Sequence, residues 1–263
     1  MNCRILVASL LALAALGGTA HAAASNCPRK DALGTSRVLA VDAASVPRVG
    51  LKSFPQSLPL HDKEVVLTFD DGPWPPTTKK VLAALAQECV HATFFLIGKP
   101  ASEHPDIVRL IAAGGHTIGH HSWSHPDLAH MPERDAISQI DRGIAADERA
   151  LHGVETTTPS TPFFRFPGFQ STPALLDLMQ SRGITVFGAD LWASDWQEMS
   201  PKRELQLLIR RLREARKGII LLHDPKAHTA AILPGFLRYL RENDYHVVQV
   251  VPRQGTVDIS KAP

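Results

Sequence analysis

The chain predicts an α/β domain built on parallel strands, and three observations point there. From Glu64 onward, short apolar runs alternate with stretches of helical periodicity. Two of the helical stretches open on a capping hydroxyl followed by proline. Polar, chemistry-bearing residues gather just after the apolar runs, at what becomes the C-terminal edge of a parallel sheet, where α/β folds build active sites.

The strand candidates, in order, are Val65–Phe69, Thr93–Ile97, Thr117–Gly119, Phe163–Phe166, Thr185–Phe187, Ile219–Leu222 and His246–Val250. Each is a short β-branched, aliphatic or aromatic run bounded by turn formers. Helical periodicity over 134–151 sets Ile137, Ile140, Ile144 and Leu151 on one face, and over 201–215 it sets Leu205, Leu208, Ile209 and Leu212 on another. Thr172-Pro173 and Ser200-Pro201 place proline at the first helical position, where its missing N–H costs nothing. Seven strands alternating with helices fit either a closed barrel or an open sheet, and periodicity leaves both open. Residues 23 to about 60 show no clear period and read as a linker or arm. The expected layout is therefore a signal segment over 1–22, an arm over 23–60, one catalytic domain over 61–253 and a short tail over 254–263.

The 263 residues carry a formal net charge of +2, so no broad field argues for nucleic acid or an anionic membrane surface. The basic residues of 201–217 (Lys202, Arg203, Arg210, Arg211, Arg213, Arg216, Lys217) read as a solvated helix face. Arg4 precedes an apolar run, Ile5 to Leu16, and Ala20-His21-Ala22 fits a small-x-small cleavage site. The run is short for a membrane span, and nothing later is longer. An exported monomer, periplasmic or secreted, without a transmembrane segment, is the expectation. Once Cys3 has left with the signal, Cys27 and Cys89 remain, either paired in an oxidising compartment or with Cys89 as a buried thiol.

Asp70-Asp71-Gly72-Pro73 follows the first predicted strand, and His121-x-x-x-His125 follows the third. Asp71 with His121 and His125 would make a two-histidine, one-carboxylate metal site, with Asp70 left beside it as a base; that set suffices for hydrolysis by an activated water. On a helical turn the i, i+4 spacing would point both imidazoles the same way. His116 and His120 share that spacing, and the residues alone leave both pairs open. Arg165, in Phe164-Arg165-Phe166-Pro167-Gly168, could keep a carboxylate ionised through a charge-assisted pair. Asp195-Trp196 follows the fifth strand, and His223, at the end of the sixth, is a candidate general acid.

The ordered set TFDDGP, ATFFLIG, GHHSWSHPDL, RFPG, SDW and LLHD resembles the polysaccharide deacetylase family, the NodB-homology group, over about residues 61–251. The resemblance implies a distorted (β/α) barrel of about seven strands. It implies hydrolysis of an N-acetyl or O-acetyl group on a carbohydrate, with an acetylated glycan as substrate partner. By position it implies Asp70 as base, Asp71, His121 and His125 as ligands of one divalent metal ion, and Arg165 as the partner of the base. It likewise implies His223 as the catalytic histidine, Asp195 as the acid that orients it, and Trp196 and Leu221 as groove or acetyl-pocket residues. Zinc suits that ligand set, and cobalt or nickel would also fit.

Two positions depart from the family pattern. Gly168 stands where an aromatic is usual, keeping the backbone N–H expected to hold the oxyanion but losing a wall of the groove. Trp192 stands where an acid is usual. Both changes face the substrate side, so an amidohydrolase acting on a small non-sugar amide, or a silent carbohydrate-binding protein, is the competing reading.

Overall fold

The computed structural model describes residues 27–253. The signal segment and the tail after residue 253 lie outside the described residues. Ten strands run as β1 Thr35–Val41, β2 Arg48–Val49, β3 Glu64–Asp70, β4 Thr93–Leu96, β5 Thr117–His120, β6 Phe163–Phe164, β7 Thr185–Phe187, β8 Leu191–Trp192, β9 Gly218–His223 and β10 His246–Pro252. Seven helices intervene: α1 Thr77–Gln87, α2 Gly98–Glu103, α3 Pro105–Ala113, α4 Glu133–His152, α5 Pro173–Ser181, α6 Pro201–Ala215 and α7 Ala227–Glu242.

Among the described residues every strand pair is parallel. Neighbours run β9-β3-β4-β5-β6-β7. Strands β7 and β8 occupy one strand position broken at 188–190: β7 pairs with β6 and β2, and β8 pairs back to β9. The circuit therefore closes as a distorted barrel, its seam held by Gly188 N–H to the Val49 carbonyl and Asp190 N–H to the Ile219 carbonyl. β10 touches β3 only at Glu64 and Val65, while β4 takes the same edge higher up, from Thr68.

Strand alternation sorts the core. On β3, Val65, Leu67 and Phe69 face the helices α1, α3, α6 and α7, together with Ile220 and Leu222 of β9. Val66 and Ile219 face inward with Phe95, Phe163 and Phe187, filling the barrel. A third cluster packs α4 and α5 over Phe164 and Val186. One step up the inward row, β3 presents Thr68 and Asp70, and β9 presents Leu221 and His223. This core therefore positions the chemistry at the barrel's upper end.

The segment expected as an arm is woven into the sheet from Thr35. β1 pairs with β10 over six residue pairs, and β2 pairs with β7. Only every second residue of β1 approaches burial, as an outer strand requires, and β2 has two residues. Neither leaves a readable periodicity. Cys27 and Cys89 are joined in a disulfide, so the alternative of a free Cys89 thiol is set aside. Buried Glu88 fixes the same segment by accepting the Leu33 N–H and one bond from Arg241, with Arg29 3.5 Å away.

The disulfide closes a span of 62 residues at the end of the barrel opposite the chemistry, since Cys89 precedes β4. Cross-linking such a span stabilises by about 2–4 kcal/mol, through lost freedom of the unfolded chain. Cys27→Ser with Cys89→Ser should lower the melting temperature accordingly, as thermal unfolding with and without reductant will show.

Candidate active site

Cross-strand register sets the first contacts. Asp70 lies opposite His223 on one side and opposite Phe95 on the other. Arg165, just after β6, reaches under both. It is fully buried, its guanidinium 4.3 Å from the centre of the Phe95 ring. Four of its five N–H groups are engaged: two with Asp70 Oδ1 (2.7 Å) and Thr68 Oγ1 (2.8 Å), two with the carbonyls of Phe187 (3.2 Å) and Gly188 (2.7 Å). Burial raises the proton affinity of Asp70 above that of a surface aspartate, and the Arg165 charge limits the rise. Arg165 holds Oδ1, and Oδ2 faces the cleft, 3.8 Å from His121 Nε2.

Asp71 leaves the strand with φ +73°, a left-handed turn that carries its carboxylate over the barrel mouth, away from Asp70. Its Oδ1 lies 3.5 Å from His121 Nε2 and 3.5 Å from His125 Nε2. His121 Nδ1 bonds the Arg165 carbonyl at 2.6 Å, so the proton belongs on Nδ1 and the Nε2 lone pair points inward. Burial pushes the pKa of His121 down to about 3, which keeps the ring neutral. The positive φ values of Ser122 (+66°) and His125 (+59°) turn the loop back so that both rings face one point, rather than a helical turn doing so.

These three side chains fit a divalent cation. Asp71 Oδ1 is buried without a hydrogen-bond partner, facing a neutral imidazole lone pair. The three ligand atoms lie within 4.8 Å of one another. Separations of 3.5 Å match the edges, roughly 3.3 Å, of a tetrahedral set with bonds near 2.0–2.1 Å. The other histidine pair is elsewhere: His120 is buried against Asp147 at 2.8 Å, and His116 accepts the Ala92 N–H beside Phe94.

On the facing side, His223 Nδ1 donates to Asp195 Oδ1 at 2.8 Å, and its own backbone N–H donates to Oδ2 at 2.7 Å. Burial opposes a charge on the ring. The Asp195 bond and the negative charges of Asp195, Asp70 and Asp71 outweigh it and raise the pKa of His223 to about 9. A cation on Asp71 would offset that residue's share and leave Asp195's. His223 Nε2, 4.0 Å from Asp71 Oδ2, then carries a proton toward the cleft. The residues missed from the sequence here are Thr68, whose hydroxyl donates to the Ile220 carbonyl and accepts from Arg165, and the backbone carbonyls that hold Arg165. A threonine inside an apolar strand gave no signal.

The cleft has a volume of about 360 Å³; Phe166, Gly168, Phe169, Trp192, Trp196 and Leu221 wall it above the polar floor. Gly168 has φ +57°, and a Cβ there would meet only Gln170, at 3.7 Å, so the wall is open at this point while the backbone disfavours any side chain. Phe169 stacks on Trp192 with ring centres 6.4 Å apart, and Trp192 meets Trp196 edge-on at 5.8 Å. The aromatic wall therefore comes from the neighbour of Gly168 and from the residue standing in place of an acid.

A family model described as polysaccharide deacetylase matches residues 57–187. A chitooligosaccharide deacetylase of Rhizobium leguminosarum is 49% identical over 164 residues, which cover 62% of this chain and 72% of the relative. This chain belongs to the polysaccharide deacetylase family. The peptidoglycan-N-acetylmuramic acid deacetylase PdaC of Bacillus subtilis is 28% identical over 190 residues, 72% of this chain but only 38% of that protein's length. The solved peptidoglycan deacetylase of Bdellovibrio bacteriovorus superposes with a TM-score of 0.75 at 27% identity, covering 87% of this chain and 62% of that one.

Outer partners of a metal site typically contribute 10–100-fold to affinity, so loss of a ligand should cost more than about a hundredfold. Zinc titration calorimetry of His121→Ala and Asp71→Asn should show that loss with the fold retained. Wild-type affinity in both variants would place the site elsewhere.

Proposed function

We propose that the protein is a metal-dependent hydrolase that removes N-acetyl groups from a glycan and releases acetate. One observation carries this reading: two tuned pairs, Asp70–Arg165 and Asp195–His223, flank the Asp71–His121–His125 set at the floor of an aromatic-walled cleft. A divalent ion held there, zinc by the chemistry of the donors with cobalt or nickel as substitutes, would supply Lewis-acid polarisation of the acetyl carbonyl and a more acidic water.

The chain's own residues do the rest. Arg165 holds Asp70 Oδ1, leaving Oδ2 to take the proton of the attacking water. The N–H of Gly168, at the cleft wall, is the backbone donor for the oxyanion. Leu221 and Trp196 enclose the acetyl methyl. His223 Nε2–H protonates the sugar nitrogen as the C–N bond breaks, and Asp195 keeps that imidazole charged and oriented. The products are acetate and a free amine. An ester would leave by the same path with less need of the acid.

The relatives are deacetylases of peptidoglycan and of chitooligosaccharides, so acetate release from both, together with acetylated xylan and an acetylated exopolysaccharide, tests the proposal. Metal-dependent release from an N-acetylated glycan is expected; release from small acetamides alone would overturn it. The disulfide supports an exported, periplasmic or secreted location, where oxidising conditions preserve it. Among the described residues, no helix is long and apolar enough to cross a membrane.

Asp70→Asn keeps the shape and the bond to Arg165 but cannot take a proton. Turnover of the folded variant should fall by about 10²–10⁴-fold, the usual worth of a general base, with metal content near wild type and a lower melting temperature, because the Arg165 charge is left buried without its counter-ion.

The rate should be bell-shaped in pH. His223 must be protonated, so activity falls as pH rises through its pKa. Asp195→Asn removes the charge that raises that pKa, and the alkaline limb should move to lower pH. A limb unmoved in this variant would exclude His223 as the group that sets it.

A further inference from the structure

Asp195 is not the end of the hydrogen-bonded line behind His223. Its Oδ2 also accepts from Thr229 Oγ1 at 2.8 Å. Thr229 lies in the first turn of α7 and is fully buried. The same hydroxyl lies 3.2 Å from Oε1 of Glu204, which lies in the first turn of α6 and is also fully buried. Glu204 Oε2 in turn accepts from His228 Nδ1. The line His223–Asp195–Thr229–Glu204–His228 therefore joins the acid side of the cleft to the contact between two helices. Thr229, Glu204 and His228 do not line the cleft.

A threonine hydroxyl has one hydrogen to give, and here two carboxylates compete for it. The distances decide: the shorter bond goes to Asp195, and Glu204 is left facing the oxygen lone pairs. That arrangement is favourable when Glu204 itself carries a proton on Oε1. Burial and the negative charge of Asp195 push Glu204 that way, against the pull of His228. All donors then run in one direction, from Glu204 to Thr229 to Asp195. Asp195 then receives three bonds, two from His223 and one from Thr229, and its carboxylate plane is fixed. Without the third bond, Oδ2 is held only by the His223 backbone N–H, and the carboxylate can rotate away from Nδ1.

Building on the deacetylase reading, we propose that Thr229, aligned by Glu204 and His228, is a positioning residue that fixes the Asp195 carboxylate and thereby aims the His223 Nε2–H at the leaving group. Glu204 and Thr229 would be unusual choices for simple packing between two helices, where burying a carboxyl has a cost and an apolar pair has none. Their placement is explained by the acid they orient.

The test uses the full-length, zinc-loaded protein and the variants Thr229→Val, Thr229→Ser and Glu204→Met. Two readouts are taken. The first is turnover on the N-acetylated oligosaccharide that the wild type cleaves fastest, beside 4-nitrophenyl acetate, whose leaving group needs no proton. The second is the low-field proton resonance of His223 Nδ1–H, identified by its loss in His223→Gln. Thr229→Val, close to isosteric, should lower kcat on the amide about tenfold, the scale of one hydrogen bond to a charged group. KM and the aryl ester rate should not change. The resonance should move upfield, Thr229→Ser should restore both rate and resonance, and Glu204→Met, which has no donor for Thr229, should move the resonance the same way by less. A wild-type rate and resonance in Thr229→Val overturns the proposal, as does an equal loss on both substrates with the resonance in place. If the wild type releases acetate from no glycan, the deacetylase reading fails, and the resonance alone decides whether Thr229 positions the pair. Should Thr229→Val not fold, Glu204→Met is decisive: an unmoved resonance there rejects the line.

Discussion

The buried ion pair between Arg165 and Asp70 is the interaction on which the rest of the site depends. Two charges removed from water cost several kcal/mol each unless paired and fully hydrogen-bonded. Arg165 meets that condition with two backbone carbonyls, one hydroxyl and one carboxylate, over the face of Phe95. The pair locks together the ends of β3, β6 and β7. It also gives two adjacent aspartates different work. Asp70 is tied below by the arginine, and Asp71 is swung above by its left-handed backbone toward two imidazoles. The Arg165 carbonyl, at the same residue, fixes the tautomer of His121. One residue therefore orients the proposed base with its side chain and a proposed ligand with its backbone.

The acid side is built by the same sheet. Register puts His223 opposite Asp70, and the break between β7 and β8 lets the chain leave β6 and join β9, which delivers Asp195 under His223. The broken strand thus closes the barrel and completes the site. The aromatic wall follows from the same stretch, since Trp192 ends β8 and Trp196 lies four residues on.

Much of this was legible in the sequence. The seven apolar runs became β3 to β7, β9 and β10; β3 and β4, buried on both faces, read as nearly continuous apolar runs, while β10 keeps an exposed His246 and a half-buried Gln249. The two aspartates, two histidines, Arg165, Asp195 and His223 were found through their place after those strands and through the spacing of the family motif; the structure brings the two aspartates, the two histidines and His223 to one cleft, with Arg165 buried against Asp70 and Asp195 buried against His223. The strands β1, β2 and β8 were not legible, being either half-paired or two residues long, so burial imposed little pattern. The choice between His121–His125 and His116–His120 needed the motif, because spacing cannot say which face of a strand end a ring takes. Thr68, Thr229 and Glu204 were invisible, since a single polar residue in an apolar run becomes meaningful only through the distant partner it meets.

The central claim is that one of the two neighbouring aspartates binds the metal and the other, held by Arg165, does not. A crystal of the zinc-loaded protein, measured at the zinc absorption edge, tests it directly. The account predicts one anomalous peak within bonding distance of Asp71, His121 and His125 and outside bonding distance of Asp70, whose Oδ1 remains on Arg165. A peak bonded to Asp70, or a strong peak at His116 and His120 with none at Asp71, would contradict it.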